Sequence, residues 1–573
     1  MNPTTTSMTS QPLPQSALRI FAGAIETGLA QRFPAAERPR VTFEAPRRPE
    51  FGDFSTNVAL GYAKIARSAP QPLAQAIIDD AYARQPQLRE LFSSIEATAG
   101  FINARLAPPV WHASLAHILR QGERFGQTGE RSGRISLEFG SANPTGPLVV
   151  VQGRALAIGG ALVNAMRCCG YEVFVEWIVN DAGSQIDALG RSLYARYRQC
   201  FDAQYPFPDD GYPGDYLHPI AASIAQTDGE RWVGAQQSEW LAHFSRVARD
   251  AIVAQQQATA QRFGIVYDLW QSEAELHDAG RVTAVLEHLT RLGLTYERDG
   301  AVYFTSMQFG DDKDRVLVRS DGRPTYYCPD IAYHYDKLQR AERVIDILGP
   351  DHHGYIGRLR AMAAALGYDG HLDVLIAQHV AILRDGEPVG MSKRAGQIVT
   401  LDEVLDEVGI DAARFFFTML APEQPLTFDL ALALQTNNDN PVYYVQYGHA
   451  RIASIFKRAQ AGDRSLLQEL TDAPLGRLET ALAALTSPAE LSLARRLAEF
   501  PQVVLGVVDA LAPHRLARYA RDVAADFHTF YTECRVLDED ASIRIARLAL
   551  CGATQTILAR TLGLLGVSAP QTM

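Results

Sequence analysis

Four runs of strand length punctuate the middle of the chain: RISLEFG from Arg134, YEVFVEWIV from Tyr171, RVIDILG from Arg343 and LDVLIAQ from Leu372. Each is apolar or β-branched almost throughout, and helical stretches separate them. Strands of this kind bury both faces, so the expected core is a doubly wound parallel sheet with crossover helices. Ligands of such sheets bind beyond the carboxyl ends of the strands, where the strand order reverses. Glu138, Asn143 and Asp351 fall at or just past predicted strand ends. Between about residues 193 and 300 several amphipathic segments follow one another, too long for one crossover, and read as an insertion.

The hydrophobic period changes on either side of this region. From Thr400 a capping-box pair with Glu403 opens a helix whose apolar positions, Leu401, Val404, Leu405 and Val408, recur at i, i+3, i+4 and i+7. Leu493, Leu497, Phe500, Val504 and Val507 form one further helical stripe, and Leu516, Tyr519, Val523, Phe527 and Phe530 another. Residues 431–573 therefore read as an all-α bundle. Ahead of the sheet, residues 16–110 read as a small α+β domain. There Gly52, Asp53 and Asn57 precede a helical pattern, and GFINARL (Gly100 to Leu106) reads as an edge strand. Residues 1–15 have no basic start and no apolar core, so a disordered tail is expected rather than a secretion signal. The expected architecture is a multidomain α/β chain with its sheet domain over 125–430.

Composition narrows the class. At 573 residues, 47% hydrophobic and 21% charged, the chain has the make-up of an ordinary globular protein of three to four domains. It holds no run of about 18 apolar residues, so no membrane span is expected, and cytoplasmic residence is the default expectation. Its six cysteines form no CxxC pair, which argues against a structural metal or a disulfide framework. A net charge of −11 means that any RNA partner must be held by local basic patches.

Two short motifs carry the chemistry. SANPTGPLVVVQGR, Ser141 to Arg154, closes a strand and opens a helix; GMSKRAG, Gly390 to Gly396, is a small basic loop flanked by glycines. Together they resemble the two nucleotide-binding signatures of a class I aminoacyl-tRNA synthetase. The surrounding words resemble arginyl-tRNA synthetase over roughly residues 17 to 573. They include VNDAGSQI (Val179 to Ile186), FGDDKDRVLVRSDG (Phe309 to Gly322), TYYCPDIAYHYDK (Thr325 to Lys337), GPDHHG (Gly349 to Gly354) and NPVYYVQYGHAR (Asn440 to Arg451).

The resemblance implies a Rossmann-like catalytic domain that uses ATP with Mg2+, and L-arginine and tRNA-Arg as partners, in a monomer. It implies an N-terminal domain on the tRNA elbow, with Asn57 in its signature, and an anticodon-reading bundle. Arg515, Arg518 and Arg521 lie near one helix face suited to phosphates, and Tyr519 and Tyr531 offer stacking surfaces; a solvated face is the plainer reading of the arginines. Glu138, Ser141 and Asn143 would line the amino-acid end, with Tyr326 and Asp330 toward the guanidinium, where planar carboxylates and an aromatic wall suit it. The plainer reading of Tyr326 and Asp330 is a helix start. Gly153, Asp351, His352, His353, Met391 and Arg394 would contact ATP, with Lys393, Ser392 and Gln152 as the catalytic donors. Asp351, His352 and His353 could also suggest a metal, but adjacent side chains point apart.

The chain departs from the family at both signatures. The family reads His-Val-Gly-His where Val149, Val150, Val151 and Gln152 stand, usually Lys at Gly390, and usually Asp at Gly160. Gln152 keeps an amide donor, Val149 keeps none, and Val151 fills a position where the family leaves room for the base. Taken alone, three valines would read as a longer strand. Two functions are carried forward: ATP-dependent arginylation of tRNA, or a divergent paralogue that binds arginine or tRNA without adenylation.

Overall fold

The computed structural model describes residues 13–573 except 38–39, 47, 128, 130, 385, 390–398, 463–471 and 539. Its centre is a five-stranded, wholly parallel sheet of β1 (Arg134–Phe139), β2 (Glu172–Val179), β3 (Leu269–Ser272), β4 (Arg343–Leu348) and β5 (Leu372–Ile376), in the order β5-β4-β1-β2-β3. All four runs picked out above are strands. The fifth, LWQS, lies inside the stretch read as a continuous insertion. It is four residues long with only Gln271 buried, so it offers no apolar run to find. Helix α1 (Val150–Cys169) follows β1, and α2 (Tyr327–Arg340) leads into β4. The chain runs outward from β1 to β2 and β3, then returns to place β4 on the other side of β1. The switch point is therefore the gap beyond the ends of β1 and β4.

Helices Ser184–Gln199, Leu217–Asp228 and Gln237–Arg262 fill the connection from β2 to β3 around their own aromatic core, in which Tyr194 stacks on Trp240 at 3.7 Å. Between β3 and α2 two helices, Glu273–Asp278 and Arg281–Arg291, and a three-stranded antiparallel meander intervene. Helix α3 (Leu401–Phe417) opens with the expected capping box: the Thr400 N–H donates to Glu403 Oε2 at 2.7 Å, and the Glu403 N–H to Thr400 Oγ1 at 3.2 Å.

Two readings of the flanking domains need correction. Phe101–Leu106 is the middle strand of the N-terminal sheet, paired on both sides, and not its edge. Its second partner, Phe54–Thr56, is three residues long and too short to read from periodicity. The stripe from Leu493 to Val507 belongs to two helices, Pro488–Ala498 and Phe500–Ala510, and Pro501 sits in the first turn of the second. All five of its apolar residues are nonetheless buried. The second stripe lies on one helix, His514–Glu533, as expected. Among the described residues one helix, Ala541–Leu565, is long and apolar enough to cross a membrane, and two-thirds of that window is packed inside the bundle.

The domains are tied by charge. Asp53 Oδ2 accepts from the Leu106 N–H at 2.9 Å, and its Oδ1 accepts from Arg495 Nη1 of the C-terminal bundle at 2.9 Å. Gly52 holds φ +101 with its Cα against the Ala104 carbonyl, where a Cβ would approach within 2.7 Å. The Gly-Asp pair is thus structural, whereas Asn57, exposed at the start of helix Val58–Ala66, makes no capping hydrogen bond with its side chain.

Candidate active site

The turn after β1 is built for close approach. Gly140 takes φ +78 where a Cβ would meet Leu156 at 2.7 Å. Val149 is extended, and α1 begins at Val150, so the three valines do not prolong a strand. Val149 forms an isolated bridge with Thr400, and the Leu401 N–H donates to the Leu148 carbonyl at 2.8 Å, so the turn is clamped to the start of α3. Val150 is fully buried. Gly153 lies under Leu401, where a Cβ would come within 2.5 Å. At the helix N-terminus the Val149 N–H donates to Gln152 Oε1 at 3.2 Å. One of the free N–H groups that would otherwise face an anion is thereby used internally, and the Gln152 Nε2 is the donor that remains.

Beside this turn the sheet carries an unusual row. In register, Asp346 of β4, Glu138 of β1 and Glu176 of β2 are adjacent, and all three are buried. Like charges side by side in a buried sheet are unfavourable without compensation. Helix α2 supplies it. Lys337 Nζ, itself fully buried, donates to Glu138 Oε2 at 2.8 Å and to Asp346 Oδ1 at 2.5 Å; Arg340 Nη2, one turn on, donates to Glu176 Oε2 at 2.8 Å. Burial alone would lower the Lys337 pKa, but Asp346 and Glu138 carry it above the usual lysine range. His334 places Nδ1 2.7 Å from the Asp330 carbonyl oxygen and Nε2 2.8 Å from Asp346 Oδ2. Both ring nitrogens therefore face acceptors. Burial opposes its charge, but Asp346 outweighs it and raises the pKa. Glu138, His334 and Asp346 could by type hold a metal ion, but the Lys337 ammonium already bridges the two carboxylates.

Glu138 Oε1 accepts from Ser141 Oγ at 2.9 Å, and Ser141 Oγ in turn accepts from the Ile178 N–H at 3.2 Å. Asn143 is exposed on the same turn, its Oδ1 held by Asn180 Nδ2 at 3.1 Å. Across the cleft, at the start of α2, Tyr326 is 63% exposed, its hydroxyl beside Gly183. Asp330 lies one turn into the helix. Sequence reasoning missed two neighbours, Glu273 and Asp181. Glu273 follows β3 directly, and the undetected strand is why it went unnoticed. Asp181 lies just beyond β2, where it accepts from Ser272 Oγ at 2.8 Å and the Ala274 N–H at 3.0 Å. Among the described residues neither Glu273 nor Asp330 has an ion-pair partner. Burial, then the charges of Asp330 and Asp181, push the Glu273 carboxyl up to about 7. Burial, with Glu138 and Asp346 adding to it and His334 opposing, pushes Asp330 up to about 6. Glu273 and Asp330 are thus two half-buried carboxylates close enough for the charge of Asp330 to raise the Glu273 pKa, a concentration of negative charge that suits a cation.

Asp351, His352 and His353 lie exposed on a short 3-10 turn, Pro350–Tyr355, beyond the end of β4 and across the switch point from α1. Gly390, Met391, Ser392, Lys393 and Arg394 lie outside the described residues. In the C-terminal bundle Arg515, Arg518 and Arg521 are exposed on one helix. Tyr519 is not available for stacking: it is 4% exposed, and its hydroxyl donates to the Arg496 carbonyl at 2.8 Å. It belongs to the stripe of apolar positions on its helix, so packing claims its ring. Arg451 lies over the half-buried Tyr531 ring at 5.0 Å and donates to its hydroxyl.

A parallel sheet with a helix N-terminus at its switch point, an α+β domain before it and a helical bundle after it has the architecture of a class I aminoacyl-tRNA synthetase. The family descriptions that match agree: "tRNA synthetases class I (R), catalytic domain" over residues 227–418, "Arginyl tRNA synthetase N terminal domain" over 19–106 and "DALR anticodon binding domain" over 445–573. The arginine–tRNA ligase of Citrifermentans bemidjiense is 41% identical over 94% of this chain and 96% of its own length. That of Desulfosudis oleivorans is 42% identical over 98% and 99%. The solved arginyl-tRNA synthetase of Thermus thermophilus superposes with a TM-score of 0.75 at 25% identity, covering 97% of this chain and all of that one. The chain belongs to the arginyl-tRNA synthetase family.

Proposed function

We propose that this chain activates L-arginine with ATP and transfers it to tRNA-Arg. The observation that carries the reading is the pair of half-buried carboxylates without ion-pair partners, Asp330 and Glu273, near each other with Asp181 beside them. A guanidinium presents a planar fork of donors that matches such carboxylates, and the exposed Tyr326 ring gives it a face to lie on. Glu138, Ser141 and Asn143 stand at the opposite end, where an α-amino group would be received. In the first step an arginine carboxylate oxygen bonds to the α-phosphorus and pyrophosphate leaves with the bonding electrons. In the second, a terminal ribose hydroxyl of the tRNA attacks the carbonyl carbon and AMP departs. ATP enters as a substrate with Mg2+, against Gly153, Asp351, His352 and His353, with Met391, Ser392, Lys393 and Arg394 of the basic loop brought to its phosphates. Asn57, Arg515 and Arg518 serve the RNA.

Losing one preorganised donor to a developing anion costs about 10²–10³ in rate. Val149 offers no side-chain donor, which leaves the Gln152 amide as the remaining one of the pair, so slow adenylation is the expected behaviour. The same observation favours a second reading, a paralogue that binds arginine and tRNA without adenylation. Arginine-dependent, tRNA-dependent ATP–pyrophosphate exchange decides between them. The comparison is with a variant carrying Val149→His, Val151→Gly and Gln152→His. Exchange by the unaltered chain, raised in the variant, supports the ligase. Exchange in the variant alone supports the second reading.

A further inference from the structure

We propose that Lys337 is a positioning residue for the amino-acid pocket: its ammonium holds Glu138 in the orientation that receives the ligand. This rests on the reading that the cleft binds arginine. The row Asp346, Glu138, Glu176 puts three carboxylates on neighbouring strands at one level of the sheet. A carboxylate so placed swings away from its neighbours unless a cation fixes it. Lys337 is the group that divides Glu138 between two tasks. Its Nζ takes Oε2, while Ser141 takes Oε1 at the cleft side. The ammonium is itself aimed by Asp346, which His334 pins from the other oxygen, and it lies 4.8 Å from the centre of the Tyr333 ring. His334 also donates from its other ring nitrogen to the Asp330 backbone carbonyl. One buried cluster thus joins Glu138 to the helix turn that carries Asp330, and Lys337 and Asp346 are both fully buried within it.

The alternative is that Lys337 only neutralises the row and keeps the sheet folded. The two roles separate in a pair of variants, Lys337→Met and Lys337→Met with Asp346→Asn, measured for arginine binding by calorimetry and for thermal unfolding. The single variant leaves two buried carboxylates without their ammonium. Its unfolding midpoint is expected to fall by about 3 °C or more, and its arginine Kd to rise at least about tenfold, the scale of one lost hydrogen bond to a charged group. The double variant removes the surplus charge, so its midpoint recovers toward that of the unaltered chain. Glu138 still lacks the Lys337 ammonium in it and is held by Ser141 alone, so the Kd of the double variant stays raised by at least about tenfold. Recovery of affinity together with stability would overturn the proposal, as would a single variant binding arginine within about threefold of the unaltered chain. Failure of the unaltered chain to bind arginine would instead strike the reading of the pocket.

Discussion

Arginine should bind this protein with a dependence on pH that has one identifiable origin. Glu273 is pushed up to about 7, first by burial and then by Asp330 and Asp181; Asp330 is pushed up to about 6. Both must be ionised to pair with a guanidinium. The sign follows directly: raised carboxyl pKa values mean that the empty pocket holds protons that the ligand must displace. At pH 6 about a tenth of Glu273 and half of Asp330 are ionised, and at pH 8 nearly all of both, so affinity should rise about 20-fold across that interval. Calorimetry in buffers of different ionisation enthalpy should count about half a proton released per arginine bound at pH 7. The Glu273→Gln variant should lose most of the slope, leaving only the twofold part due to Asp330. It should also bind about ten- to a hundredfold more weakly at pH 8, the worth of a charge-assisted hydrogen bond. A Kd that is flat between pH 6 and 8, or a slope unchanged in Glu273→Gln, would refute the assignment of these two carboxylates to the cation.

Three further outcomes follow from the packing. Tyr519→Phe removes one buried hydrogen bond to Arg496 and should cost about 1 kcal/mol of stability with no change in tRNA affinity by filter binding; weakened RNA binding in that folded variant would reinstate Tyr519 as a contact. Asp53→Ala removes the acceptor shared by Leu106 and Arg495, so it should destabilise the chain by about 1–3 kcal/mol and raise the rate of proteolysis between the N-terminal domain and the sheet. Buried Arg414 has a guanidinium nitrogen, Nη2, without a hydrogen-bond partner, and a Cβ at Gly160 would lie 3.2 Å from that atom. An Asp there supplies a partner but crowds Ile265 at 2.6 Å. Gly160→Asp should therefore raise the thermal midpoint in an Ile265→Val background, and a lower midpoint there would show that Arg414 does not want a carboxylate.

What could be read from the sequence, and what could not, divides along a physical line. The four long strands of the sheet were legible because strands buried on both faces write their burial as continuous apolar runs. β3 was not, because only one of its four residues is buried. That omission hid Glu273, whose importance depends on following a strand end. The Lys337 cluster was invisible for a different reason: Glu138, Asp346 and Glu176 are more than thirty residues apart from one another in sequence, and only register makes them neighbours. Tyr519 shows the opposite error. A tyrosine among arginines reads as an RNA contact, yet the same helix needed that position for its core stripe, and at i+3 from Leu516 the stripe had already claimed it. Where a residue satisfies both a packing period and a functional pattern, packing is the stronger constraint, because a vacated core position costs several kcal/mol whatever the ligand does. The valines at 149 to 151 follow the same rule. Val150 is buried in the first turn of α1, so its apolar character is structural, and the departures from the family signature at Val149, Val151 and Gln152 all fall at partly exposed positions.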